Sequence, residues 1–182
     1  MTWRLAKGLE TLRSQVNQMW PQRSKESDGS VGDTSHSARK SDHNPDARGV
    51  VHAIDITHDP RNGFDSYKFA DMLLAKQDPR LSYIISNRRI GSGPGGPEPG
   101  KWRHYSGTNP HDHHVHISIT TSREDDVHPW DIEGAQSTPK PNAPAALDVK
   151  AEIKAFQTAH GLTPDGLVGP QTWLEIKKEM EA

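Results

Sequence analysis

Leu5, Leu9, Leu12, Val16 and Met19 recur at spacings of three and four, and this stripe predicts an amphipathic helix over about residues 4–19 that stops at Trp20-Pro21. The roughly thirty residues that follow are rich in Ser, Asp, Gly, Lys and Arg and show no period. They read as a long loop, and a loop of that length in a compact domain is usually functional or disordered. Residues 50–57 (VVHAIDIT) have the β-branched content of a strand, residues 66–77 (SYKFADMLLAKQ) the pattern of a helix, and residues 81–86 (LSYIIS) that of a second strand. The Gly/Pro run over 91–100 excludes regular structure there. A third strand is expected over 114–120 (HVHISIT), where apolar and polar residues alternate. The mixture predicts an α+β fold, a small and mainly antiparallel sheet with flanking helices.

A Pro-spaced polar stretch over 133–146 reads as an extended, semi-rigid linker. It separates a main domain, residues 1–132, from a tail, residues 147–182. In the tail, Ile153, Phe156 and Gln157 follow a helical repeat that Gly161-Leu162 ends, and turn signals precede a second helix starting near Pro170.

Composition narrows the chemistry. The 182 residues include no Cys, which removes disulfides, thiolate zinc sites, iron-sulfur clusters and thiol nucleophiles. Hydrophobic residues make up only 31% of the chain, so the core is thin, and small cores often recruit a metal. The 22 Lys and Arg residues balance 24 Asp and Glu for a net charge of -2, no footprint for nucleic acid. No apolar window approaches the length of a membrane span or of a signal-peptide core. The 11 His residues point to imidazole and metal chemistry.

Two clusters concentrate that chemistry, residues 41–59 (SDHNPDARGVVHAIDITHD) and 111–118 (HDHHVHIS). Side chains alternate along a strand, so His114, His116 and Ser118 share one face and Val115, Ile117 and Ile119 the other. The same arithmetic groups Ala53, Asp55 and Thr57 and sets His52, Ile54 and Ile56 opposite. An Asp inside Ala-Ile-Asp-Ile is costly to bury unpaired and calls for a cation or strong donors. Two histidines and one carboxylate leave a position open on Zn²⁺, the arrangement of catalytic zinc; His43 is the natural third ligand. A lone His-x-His is more often a solvated strand face, and His52, His58, His104 and His128 read as surface or packing residues.

Ser41-Asp-His43, Gly49, Ala53-Ile-Asp55 and His114-Val-His116 together resemble the LAS metallopeptidases, the group of lysostaphin-type enzymes, D-Ala-D-Ala peptidases and the hedgehog fold. That resemblance implies one zinc per chain, held by His43, Asp55 and His116. His111-x-x-His114-x-His116 is similar to the triple-histidine pattern of the penicillin-insensitive murein endopeptidases, which implies His111 and His114 as catalytic candidates. Arg23 and Ser41 become substrate-binding candidates on the same ground. The His43 to Asp55 separation exceeds the usual pattern, implying an insertion around 45–48, and His113 stands where the carboxypeptidase branch has an acidic residue. The SDHNP segment is similar to phage endolysins and prophage-type wall peptidases. The tail, IKAFQTAHGLTPDGLVGPQTW, resembles the small helical peptidoglycan-binding module of many wall hydrolases.

The function these resemblances imply is hydrolysis of an amide in peptidoglycan stem peptides or cross-links, by a monomer. It would be made without a signal peptide in the bacterial cytoplasm and act on the wall after release. Three other readings compete: a D,D-carboxypeptidase of the same fold, a noncatalytic wall-binding protein, and a histidine-rich metal-sequestering protein. The last predicts several metals per chain.

Overall fold

The computed structural model describes residues 2–32, 41–133 and 149–180; the expected linker lies outside them except for Glu133. The chain divides into two compact units, residues 1–137 and 138–182. The first opens with strand β1 (Arg4–Leu5) and helix α1 (Lys7–Met19). Leu9, Leu12 and Val16 are fully buried, the face that their spacing predicts. The helix begins later than the apolar stripe because Arg4 and Leu5 pair in parallel with β2 (Val50–Val51).

The strand expected over 50–57 is two strands. Beyond Val51 the backbone of His52 finds other partners: its N–H donates to the Asp42 carbonyl, and its carbonyl accepts from Ile119. The chain thereby leaves β1 and enters the main sheet as β3 (Ala53–Thr57). The sheet continues with β4 (Leu81–Ser86), β5 (Arg89–Ser92), β6 (Trp102–His104) and β7 (His114–Ile119). Its order is β3-β7-β4-β5-β6, every neighbouring pair antiparallel.

Helix α2 (Ser66–Lys76) is capped by Asp65, whose carboxylate accepts from the Tyr67 and Lys68 N–H groups. It turns Phe69, Ala70, Leu73 and Leu74 onto β4 and β7. Ile54, Ile56, Val115, Ile117 and Ile119 complete one core with α1 and α2. Trp20, Phe64 and Phe69 close one end, with ring centroids 5.0–6.0 Å apart.

Gly91 and Ser92, expected to be irregular, finish β5. Gly91 pairs with both Ile84 and Trp102, and the missing Cβ makes room for the Leu74 side chain. At Gly93 the backbone passes so close to β4 that a Cβ would fall on the Leu81 carbonyl oxygen. Gly93→Ala is therefore expected to displace this crossing and lower stability by about 1–3 kcal/mol, seen as a lower urea midpoint with an unchanged slope.

β3 is an edge strand, and part of the long loop covers it. Gly29 and Asp55 exchange backbone hydrogen bonds. Asp28 accepts from the N–H and hydroxyl of Thr57, and Ser27 N–H donates to the Thr57 hydroxyl. This cover satisfies an edge that would otherwise be free to pair with another chain.

The second unit contains α3 (Val149–Ala159) and α4 (Pro170–Met180), as the helical spacing predicts. Buried Gln157 is its hub. The two N–H groups of the amide are shared among the Asp165 carboxylate at 2.8 Å, the Leu167 carbonyl at 2.9 Å and the Thr172 hydroxyl at 3.1 Å, and its oxygen accepts from Gly166 N–H.

Candidate metal centre

Three separate segments bring His43, Asp55 and His116 together. Before β2, the Ser41 hydroxyl accepts from His43 N–H and the His43 carbonyl accepts from Gly32, a turn that aims His43 at β3. Asp55 lies directly opposite His116 in the β3–β7 register, and Thr57 opposite His114, so all four project from one sheet face. Tyr83 and Ile85 of β4 join that face opposite Ser118 and His116. A β-bulge between Leu81 and Tyr83 makes this possible, because it leaves Leu81 in the core while Tyr83 faces the cleft.

His43 Nε2 lies 3.0 Å from His116 Nδ1 and 3.3 Å from Asp55 Oδ1, and His116 Nδ1 lies 3.1 Å from Asp55 Oδ1. Ligand atoms about 2.0–2.2 Å from a tetrahedral zinc lie about 3.3 Å from each other, so the triangle has the dimensions of one face of such a site. The outer nitrogens are already engaged. His43 Nδ1 donates to the Ser30 carbonyl, which only accepts, so in the neutral ring Nε2 carries the inward lone pair. His116 Nε2 is 3.0 Å from the Ser118 hydroxyl, leaving Nδ1 to face Asp55. The donor set therefore fits a divalent cation.

Burial favours the neutral form of Asp55, but hydrogen bonds from His116 and His43 outweigh it and hold the carboxyl well below its ordinary range. Burial likewise favours neutral His43, and the bond and charge of Asp55 reverse that and raise it. The carboxylate is thus ionised and draws a positive charge to the triangle, which a proton or a metal ion supplies.

Beside the triangle stand the two further histidines. His111 has a left-handed backbone, φ +54°, a strained conformation for a residue with a Cβ. The turn of the β4–β5 hairpin holds it there, with Asn87 N–H donating to the His111 carbonyl and Arg88 N–H to that of Pro110. His111 Nδ1 lies 2.8 Å from the Asn109 carbonyl, a bond that leaves Nε2 as the lone-pair nitrogen. Burial and the neighbouring His116 and His114 pull its pKa down to about 4. Burial also lowers His114, against the pull of Asp55. Its Nε2 is buried without a hydrogen-bond partner, 3.7 Å from Asp55 Oδ1.

The triangle borders a cleft of about 380 Å³ whose walls include Ser41, Tyr83, Tyr105, Asn109 and His111. Ser41 thus lines the cleft. Arg23 does not: its side chain is fully buried, paired with Asp28 at 2.6 and 2.7 Å and with Asn17 at 2.7 Å. It braces the loop and is not available to a substrate carboxylate. Of the surface and packing alternatives, His52 takes the second. It is buried and bonded to Glu124 at 2.6 Å, in a cluster where Arg48 bonds both Asp46 and Glu124; that guanidinium supplies the charge a cation would otherwise bring. Tyr105 and Asn109 were not visible as site residues, since they reach the cleft only through the path of the β6–β7 loop.

Comparison with known families matches residues 140–175 to the peptidoglycan binding domain family. This supports a cell-wall-binding module in the second unit and association with peptidoglycan. No curated protein and no solved structure matches the chain. Among the described residues no helix is long and apolar enough to cross a membrane.

Proposed function

We propose that the first unit is a zinc-dependent peptidase of the LAS type that hydrolyses an amide in peptidoglycan stem peptides or cross-links, with the second unit holding it on the wall. The observation that carries this reading is the convergence of His43 Nε2, Asp55 Oδ1 and His116 Nδ1 within 3.0–3.3 Å at the side of an open cleft. Zinc held there would bring the pKa of a bound water to about 7 and polarise the scissile carbonyl. His111 Nε2, unprotonated at neutral pH, takes the proton from water as its oxygen adds to the carbonyl carbon. The same proton then passes to the amide nitrogen as the C–N bond breaks, leaving a carboxylate and an amine. His114, whose Nε2 is buried without a hydrogen-bond partner 3.7 Å from Asp55 Oδ1, is the second catalytic candidate of this reading.

The test is incubation of metal-quantified protein with purified sacculi, with and without chelator, followed by mass analysis of soluble fragments. One zinc per chain and chelator-sensitive release of new amino termini are expected. Sacculus binding without release would favour a noncatalytic wall-binding protein, the reading that the module alone supports. Release of single terminal D-Ala residues would indicate the D,D-carboxypeptidase. His111→Ala is expected to keep its zinc and lose about 10²–10⁴-fold in rate, and His114→Ala to keep zinc with a smaller loss of rate. Wild-type rates in both variants would remove these histidines from the mechanism.

A further inference from the structure

Cross-strand pairing carries the row of the metal triangle to the far edge of the sheet. Asp55 lies opposite His116, His116 opposite Ile85, Ile85 opposite Ile90 and Ile90 opposite Arg103 of β6, so these side chains share one face. Trp102, next to Arg103, takes the other face, packed on the core with its indole N–H donating to Asp71, and Tyr105 beyond it lines the cleft. Arg103 is half-buried. Its Nη2 donates to the Ser92 hydroxyl at 2.7 Å, its Nε is buried without a partner, and Nη1, also without a partner, is open to solvent. The buried arginines Arg23 and Arg80 each pair with an aspartate; among the described residues no carboxylate meets Arg103. A half-buried cation with an unanswered N–H carries a desolvation cost that an anionic ligand relieves.

We propose that Arg103 anchors a carboxylate of the peptide substrate, whose scissile carbonyl lies at the triangle and whose chain crosses Ile85 and Ile90 on the way. The Ser92 hydroxyl holds the guanidinium over β5, and two strand spacings separate β5 from β7, about 10 Å. An extended peptide rises about 3.3 Å per residue, so the carboxylate belongs to a residue about three positions from the cut. The substrate class is therefore an acidic peptide cleaved internally. The carboxylate of a single terminal residue lies one position from the cut and does not span that distance. The solvent-facing Nη1 receives the carboxylate, and the bound charge offsets the unpartnered Nε.

This inference rests on the peptidase reading above, and its first readout needs no hydrolysis. Metal-free protein is titrated in a calorimeter with a cross-linked pair of stem peptides, prepared with its carboxyls either free or as primary amides. Wild type is expected to bind the acid about 10–100-fold more tightly than the amide, the worth of hydrogen bonds between charged groups. Arg103→Met should bind both as weakly as wild type binds the amide, with wild-type zinc content. Arg103→Lys, which keeps the charge and loses the planar fork, should restore part of the preference. Equal affinity of wild type for acid and amide would overturn the proposal, as would an acid preference that survives in a folded Arg103→Met variant, or release of single terminal residues alone by the zinc-loaded protein. An acid preference lost in Arg103→Met, with no cleavage of either peptide by zinc-loaded wild type, would count against the peptidase reading alone.

Discussion

Asp55→Asn is expected to remove bound zinc and amide hydrolysis together. Asp55 is the one anionic member of the triangle, and its Oδ1 lies 3.1–3.7 Å from nitrogens of His43, His116 and His114. The amide preserves the shape and an oxygen but removes the charge that makes a buried dication tolerable beside two neutral imidazoles. The loss in zinc affinity should exceed the roughly 10–100-fold of changes outside the ligand set, and the rate on sacculi should fall to the chelated background. His116→Ala should behave alike. Metal content after equilibrium dialysis, measured alongside fragment release, separates this from a mere proton-sharing cluster, in which Asp55→Asn would leave metal content unchanged.

The largest effect on stability is expected from Asp28→Ala, a loss of about 3–5 kcal/mol. Arg23 is buried with its guanidinium held by Asp28 through two bonds, and removing the carboxylate leaves that charge without its counter-ion. The Thr57 N–H and hydroxyl lose their acceptor in the same step. Burial favours protonation of Asp28, but the bonds from Arg23 and Thr57 prevail and its pKa lies below the ordinary value. Its contribution is therefore complete above about pH 4, the unfolded value, and fades as acid titrates the folded carboxyl. Urea unfolding at neutral pH should show the full difference between wild type and variant, narrowing in acid. Replacing Arg23 and Asp28 together by apolar residues of similar volume should cost much less than Asp28→Ala, because no unpaired charge remains.

What was legible in the sequence followed from spacing. The face of α1 was visible in its three–four repeat, and the alternation of β7 separated His114, His116 and Ser118 from the core before any partner was known. The resemblance named His43, Asp55 and His116 as ligands, and the folded chain sets these three within bonding distance of one another. Pairing was less visible. Nothing local marks His52 as the point where the backbone changes partner, since its hydrogen bonds go to Asp42 and Ile119, distant in sequence. β6 has only three residues and depends on β5 for its existence. Arg23 was misread because a loop cation looks alike whether a substrate or Asp28 meets it.

The second unit raises a different matter, the thermal behaviour of a module organised around an amide. Among residues 150–180 the buried ones are Gln157, Gly166 and Thr172, whereas Leu167, Val168, Trp173 and Leu174 are exposed. Heat capacity rises on unfolding chiefly where apolar surface becomes newly wet. Such a module has little left to wet, so its melting should register in a calorimeter as a broad, shallow step, with the sharp endotherm belonging to the first unit.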